Sequence, residues 1–447
     1  MNLTQSRRHF AKTFAVGTAA SLIPGSVLGA NEKVNVAFIG IGGMGKGDSK
    51  TVAQTELVNV VALCDIAMGT SHTADIEAMY PNVPRFKDFR QMFDKMADKI
   101  DAVTVVVPDH SHFPIAMTAM SLGIGCYVEK PLAHTFEECQ LMMQAEKKYK
   151  VAAQMGNQGH SGANYFQFKA WTEAGIIKDV TRVDAYMNKG RRWHPWKFDA
   201  YQTGEKMPAG IDWDVWTGTK VERPFSKYLH PGNWRSWFEY GNGAFGDWGP
   251  HTLDTVHRFL KLGYPTKITP VKVDGPRDWI FPMASTIRFS FPAREGMPPC
   301  DVTWHDGVKN LPPRPDELEE GRKIEPCGKI IYGNDLVFKG TTHGNPLRII
   351  PEDKFRELAP TLPKVTGKNS GHHKNWILGV KGEEETRSNF AVAAPLSQVF
   401  CLGVLAQRFN EELEFDAETM QITNHKEANA LLSGPPPRKG WEQYYKM

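Results

Sequence analysis

Val34-Asn35-Val36-Ala37-Phe38-Ile39 runs directly into Gly40-Ile41-Gly42-Gly43-Met44-Gly45. A short apolar run that ends in clustered glycines reads as a buried strand and a tight turn, with a helix to follow. In the G-x-G-x-x-G spacing each glycine has its own task. Gly40 permits the turn, Gly42 lets the main chain approach a pyrophosphate, and Gly45 lets helix and strand pack closely. The phosphates then rest on N–H groups at the helix start. Asp65 closes the next apolar run, twenty residues beyond Gly45. An acid at that place bonds the adenosine ribose and repels a 2′-phosphate, so NAD is expected over NADP, with FAD the other user of the motif.

The alternation continues outward from that turn. Strand-like runs at 57–64, 101–107, 125–128 and 151–155 are separated by helical patterns at 70–80, 112–122 and 135–148. Strands this apolar, alternating with helices, predict a parallel sheet covered on both faces, a doubly wound Rossmann domain over 31–155. Beyond 156 the texture changes. Helical patterns at 163–174 and 252–260 bracket a stretch rich in Trp and Gly, and strand-like runs follow at 267–273, 285–291 and 302–305. Residues 329–332 and 335–339 read as a hairpin across Gly333-Asn334, and 390–410 as a long apolar helix. The fold class is therefore α/β, with a C-terminal α+β domain at 156–410 on a large, open, mostly antiparallel sheet, and with 411–447 expected as a tail packing on the surface.

In an open α/β sheet, ligands lie outside the carboxyl ends of the strands. Two strand ends besides the glycine turn carry polar residues, Pro108-Asp109-His110-Ser111-His112 and Glu129-Lys130-Pro131. Pro108, His112, Glu129 and Lys130 are therefore expected beside the nicotinamide. Lys130, held extended by the proline after it, is placed to meet a substrate hydroxyl. Asp247 and His251 stand four residues apart, hence on one face of a helical turn. An imidazole there can take and return a proton, and the carboxylate can orient it or hold a substrate hydroxyl.

Together with Asp247-Trp248-Gly249-Pro250-His251, these segments resemble the Gfo/Idh/MocA oxidoreductases, named for glucose–fructose oxidoreductase and inositol dehydrogenase. The similarity runs from about residue 31 to 410. It implies a Rossmann domain paired with a mixed-sheet domain, and oxidation or reduction of sugars, cyclitols and their derivatives. It implies Lys130, Asp247 and His251 as the catalytic trio, and Asn157 and Gln158 near the nicotinamide. The expected cofactor set is completed by Gly40, Gly42, Gly43, Met44, Gly45 and Asp65. The expected function is hydride transfer between bound NAD and a secondary alcohol of a sugar or glycoside, in a homo-oligomer joined through the C-terminal sheet. Some relatives instead oxidise a sugar, eliminate its aglycone and return the hydride, so that an NAD-dependent glycosidase is the alternative; the motifs of those branches are not recognisable here. A sugar-binding protein that kept the fold is a third reading, and intact Lys130 and His251 argue against it.

Residues 6–12 read Ser-Arg-Arg-His-Phe-Ala-Lys, and a mostly apolar stretch of small residues follows, ending in Leu28-Gly29-Ala30. Residues 1–30 resemble a twin-arginine export signal, which implies a periplasmic or otherwise exported protein that folds before it crosses. No NAD pool exists there to recycle free cofactor, so NAD is expected to be tightly bound and reset by a second substrate. The remaining chain shows no apolar run of membrane-spanning length. A net charge of +3 on 447 residues is too small to argue for nucleic acid or an anionic surface as partner. Six cysteines without C-x-x-C, and His305, His372 and His373 without H-E-x-x-H, argue against a metal site. An oxidising compartment permits a Cys300–Cys327 bridge, since both lie in a Pro-rich, loop-like region. His194, in the run Arg191-Arg192-Trp193-His194-Pro195-Trp196, stands either to line a sugar pocket or to pack as an aromatic loop.

Overall fold

The computed structural model describes residues 32–189, 196–365 and 369–446. The export-like segment and the run around His194 lie outside the described residues. Strands β1 (Val34–Ile39), β2 (Val58–Cys64), β3 (Arg85–Phe86), β4 (Ala102–Val105), β5 (Gly125–Val128) and β6 (Ala153–Met155) form a parallel sheet in the order β3-β2-β1-β4-β5-β6. Helices α1 (Gly43–Ala53), α2 (Ala74–Met79), α3 (Phe89–Met96), α4 (Asp109–Ser121) and α5 (Phe136–Tyr149) connect them. The strands are apolar on both sides because both sides are covered: Val34, Val36 and Phe38 pack into one core, Ala37 and Ile39 into the other. α5 starts where Thr135 and Glu138 cap each other's main chain. α4 starts at Asp109, earlier than its apolar pattern suggests, so the polar run 109–112 forms its first turn. The strand order reverses between β1 and β4, which opens a crevice at their carboxyl ends.

The second domain carries α6 (Ala163–Glu173), β7 (Arg182–Met187), α7 (Trp213–Thr217), α8 (Gly243–Thr252) and α9 (Asp254–Phe259). Strands β8 (Lys267–Asp274), β9 (Ala284–Phe291), β10 (Cys300–Asp306), β11 (Cys327–Tyr332), β12 (Val337–Gly340) and β13 (Arg348–Ile350) follow. The chain closes with α10 (Glu352–Leu358), α11 (His372–Val380), α12 (Phe390–Phe409), β14 (Leu413–Asp416), β15 (Gln421–Ile422) and α13 (Lys426–Ala430). The sheet order is β13-β12-β11-β7-β10-β9-β8-β14-β15, antiparallel except where β7 lies beside β10. α12 has the length and apolarity of a spanning helix, but 78% of its apolar window is buried, which makes it a core helix.

Two expectations are corrected. Residues 411–447 are not a surface tail: β14 extends the second sheet, and Trp441, Tyr444 and Tyr445 pack against Phe89 and Phe113 of the first domain. α11 also returns to the first domain, where His373 bonds Asp48 of α1 at 3.0 Å and stacks on Tyr127. Cys300 and Cys327 are both free and buried, and both start strands rather than sit in loops. The residue after Cys300 pairs with Arg182, whereas Cys327 pairs with Met187, at opposite ends of β7. That separates them by roughly 20 Å along the strand, beyond the reach of a disulfide.

Buried neutral histidines tie these pieces together. His372 donates from Nε2 to Met155 O at 2.8 Å and accepts at Nδ1 from Ser161 Oγ at 2.8 Å, and burial pulls its ring down to about 3. His257 donates to Gly263 O at 2.9 Å, and burial pulls it down to about 4. Once unfolded, each titrates near pH 6.5, so between about pH 6.5 and 4 the unfolded chain holds more protons. Stability therefore rises with pH across that window and is lost as pH falls through it. His110 and His230, pulled down to about 3 and 4, add to this trend, while Glu146 and Asp306, pushed up to about 7 and 6 by burial, oppose it. The melting temperature is expected to decline from about pH 6.5 to about pH 4, and a rise over that window would show that the histidines do not govern it.

Candidate active site

The carboxyl ends of β1, β2, β4 and β5 face a cavity of about 690 Å³. Its floor is the glycine turn. Gly40 has φ +78°, and a Cβ there would run into Val106 O. A Cβ on Gly45 would run into Gly40 O, and one on Gly42 into the His72 ring. No acidic side chain occupies the first turn of α1, and no side chain caps it. This is a cradle of main chain with its helix N–H groups free, and it fits a dinucleotide pyrophosphate. Gly43 and the exposed Met44 line the same cavity. Asp65 also lines it, while its Oδ2 accepts from Ile41 N at 2.9 Å. Asp65 thus braces the glycine turn.

At the other end, Lys130 and α8 meet. Lys130 Nζ lies 3.1 Å from Asp247 Oδ1 and 3.2 Å from Asp247 O. Arg235 Nε approaches the same carboxylate at 3.7 Å, and its NH1 is held by both oxygens of Asp109 at 2.8 and 2.9 Å. Two cations therefore alternate with two carboxylates, which keeps a buried site near neutrality. His251, one helical turn after Asp247, is 7% exposed, and its Nδ1 has no hydrogen-bond partner among the described residues. Burial, then the Lys130 ammonium and His343, hold His251 well below the usual imidazole range, against the opposing pull of Asp247. At neutral pH it is an uncharged ring able to accept a proton. Burial, reinforced by Asp48, pushes Glu129 up to about 8. The Lys130 ammonium and the N–H groups of Lys130 and Gln158 pull the other way.

Pro108, Glu129 and Gln158 line the cavity, and Gln158 Nε2 donates to Glu129 Oε1 at 2.7 Å. His112 and Asn157 do not line it. The His112 ring nitrogens lie 2.8 Å from Pro131 O and 2.9 Å from Val107 O, so this ring ties the two strand-end loops together from behind. Asn157 is buried at the start of a short helical turn, 158–161.

The sequence gives no warning of His343. Its ring stacks on His251 at 3.9 Å between centroids, and its N–H donates to His251 O at 3.1 Å. His343 has φ +57°, a strained conformation for a residue with a side chain. The surroundings enforce it: a Cβ on Gly344 would press on Gly159 and Gly162, and Asn164 N donates to Gly344 O at 2.8 Å. The turn-forming run Thr342-His343-Gly344-Asn345 is the only local signal.

Two family models match. The Gfo/Idh/MocA model described as an oxidoreductase family with an NAD-binding Rossmann fold covers residues 34–157. Its companion, the C-terminal alpha/beta domain of the same oxidoreductase family, covers 138–287, so that together they span more than half of the chain. The chain belongs to the Gfo/Idh/MocA oxidoreductase family. Relatives of this Gfo/Idh/MocA oxidoreductase include glycosyl hydrolase family 109 protein 1 of Shewanella sp. (strain MR-4), 28% identical over 228 residues, 44% of this chain and 49% of that one. Inositol 2-dehydrogenase of Salmonella typhimurium is 30% identical over 181 residues, 39% of this chain and 50% of that one. The chain spans about half the length of these curated relatives. The WlbA dehydrogenase from Bordetella pertussis, solved with NADH and UDP-GlcNAcA, shares the fold with a TM-score of 0.58 at 15% identity, over 86% of this chain and 99% of that one. The aldose–aldose oxidoreductase from Caulobacter crescentus does so with a TM-score of 0.52 at 15% identity, over 86% of this chain and 100% of that one.

Proposed function

We propose that this chain is an exported, NAD-dependent oxidoreductase that moves a hydride between a tightly held dinucleotide and a secondary alcohol of a sugar or glycoside. The observation that carries the reading is the pairing of Lys130 with Asp247 beside a neutral His251, at the far end of the cavity that begins at the glycine turn. Bound nicotinamide supplies the hydride acceptor. The residues of the chain supply the rest. Lys130 faces the substrate oxygen and stabilises its developing negative charge. His251 takes the hydroxyl proton, and Asp247 keeps Lys130 in place and steadies the imidazolium that forms. Trp248 also lines the cavity, with the Lys189 ammonium 4.8 Å from its ring centre.

The names of the relatives support a polyol or sugar-derived substrate, and the family 109 relative favours a second reading, net glycoside hydrolysis. The two separate in one experiment. Purified protein is mixed with a panel of sugars and aryl glycosides while bound-cofactor absorbance near 340 nm and aglycone release are followed together. Oxidation predicts an absorbance rise with no aglycone; hydrolysis predicts aglycone with no lasting rise. Silence in both channels across the panel would contradict the proposal.

Asp65 makes a further expectation. Binding followed through Trp216, Trp234 and Trp441, which line the cavity, should show NAD preferred over NADP. Asp65→Ala should narrow that preference about tenfold or more by removing the charge that repels a 2′-phosphate. It should also weaken NAD itself, since Ile41 N loses its acceptor. Tighter binding of NADP by the unaltered protein would remove Asp65 from this role.

A further inference from the structure

The cavity does not belong to the first domain alone. Its ribose end, near Asp65, is bounded by Phe89 and Ile115 of the first domain, by Val215 and Trp216 of α7, and by Trp441 from the C-terminal segment. Trp441 is 3% exposed and packs 6.2 Å from the Phe89 ring. Guanidinium groups approach it from two elements, Arg90 at 4.6 Å and Arg438 at 5.5 Å from the ring centre. Arg438 in turn grips α7. Its N–H donates to Thr219 O at 3.0 Å, its Nε to Gly218 O at 2.7 Å, and its NH2 to Asp214 O at 2.8 Å, with Asp214 Oδ1 at 2.7 Å. Arg90 of α3 reaches Asp214 as well, at 3.7 Å. The first domain, α7 and the C-terminal segment thus converge on one carboxylate beside the cavity wall. Beyond Trp441 the segment is anchored again, where Tyr445 OH donates to Glu138 Oε1 at 2.6 Å and its ring packs on Phe113.

These contacts differ from those of an ordinary terminus. They fasten a strand of chain across the seam between two domains, and the side chain they fasten is a wall of the dinucleotide cavity. We infer that residues 438–445 are a clasp whose Trp441 shuts the adenosine end of the cavity and makes the dinucleotide a resident group rather than a dissociable cosubstrate. The inference rests on the proposed dinucleotide site and deepens it. A wall contributed by the chain's own C-terminal segment must part from α7 before the nucleotide can leave. The escape rate is then set by the clasp contacts rather than by the phosphate cradle. Asp214 is the exposed end of the clasp, so it can be altered with little effect on the core.

The test uses the full chain loaded with NADH. Release is followed by the loss of bound NADH fluorescence after addition of excess NAD, and by the dinucleotide remaining per chain after gel filtration. The unaltered protein is expected to keep close to one equivalent. Trp441→Ala should release NADH on the order of tenfold faster or more, and Arg438→Ala and Asp214→Ala should do so by smaller factors in the same direction. The circular dichroism and melting temperature of the two charge variants serve as the folding control should Trp441→Ala fold poorly. Release at the unaltered rate in Arg438→Ala and Asp214→Ala, with the fold intact, would overturn the clasp. If the unaltered protein takes up no NADH and also yields no dinucleotide when denatured, the dinucleotide reading itself fails, an outcome distinct from failure of the clasp.

Discussion

Lys130→Ala is expected to slow hydride transfer by ~10²–10⁴-fold while the dinucleotide stays bound. Two facts separate those effects. The cradle at Gly40–Gly45 is main chain and is untouched by the change. Lys130 instead lies 3.1 Å from Asp247 at the opposite end of the cavity, where charge develops only during reaction. Asp247 is not orphaned by the substitution, because Arg235 remains 3.7 Å away. The pH profile carries a second signature. In the unaltered protein His251 is held well below the usual imidazole range, so as a base it works at neutral pH and fails only in acid. Lys130 is the foremost charge holding it down; without that ammonium the His251 pKa rises, and the acid limb of kcat/KM moves to higher pH. An unshifted limb in a slow variant would mean that Lys130 and His251 do not share one site. Because they act as a unit, Lys130→Ala with His251→Ala should be little worse than the worse single change.

Gly45→Ala should produce the largest loss of cofactor binding. A Cβ at that position collides with the carbonyl oxygen of Gly40, and neither atom can swing away, since both belong to main chain in a closed turn. The helix must move off the strand end, and the N–H groups that would meet the pyrophosphate move with it. Overpacking of this kind costs about 1–3 kcal/mol, and NAD affinity is expected to fall by at least about tenfold. Gly47, two residues later on the same helix, supplies the control. Nothing lies within 4 Å of a Cβ there, so Gly47→Ala should leave binding unchanged and raise stability slightly. Equal effects of the two substitutions, by isothermal titration and thermal melting, would show that helix propensity and not close approach governs the turn.

Most of the first domain could be read directly, because its signals are local. A glycine turn sits between an apolar strand and its helix, and an acid ends the next strand. That Lys130 meets Asp247 one helical turn before His251 could be anticipated as well, through two short motifs and a family resemblance. What escaped was carried by contacts between residues far apart in sequence. β7, a central strand of the second sheet, was hidden because Asp184 interrupts its apolar run; in the fold that carboxylate is answered by Arg182 at 2.6 Å. His112 looked like a cofactor ligand by its place at a strand end, yet its ring turns inward to two main-chain carbonyls. His343 comes from the β12–β13 connection and meets His251 only through tertiary packing. Trp441 lies in a stretch whose Pro-rich approach, 435–437, reads as a tail, and only the folded chain brings it to the cavity wall.

In the proposed reaction a sugar carbon gives its hydride to dinucleotide held in this cavity, with Lys130 and His251 handling the oxygen. It is tested most directly by a single turnover with an active sugar carrying deuterium at the reacting carbon. The protein is mixed with that sugar, the bound reduced dinucleotide is recovered after alkaline quench, and its mass is measured. One deuterium per reduced dinucleotide is expected, appearing more slowly than the corresponding hydrogen. In Lys130→Ala and His251→Ala it should appear slower still, by ~10²–10⁴-fold. Turnover of the sugar with no deuterium reaching the dinucleotide, or deuterium appearing at the unaltered rate in both variants, would contradict it.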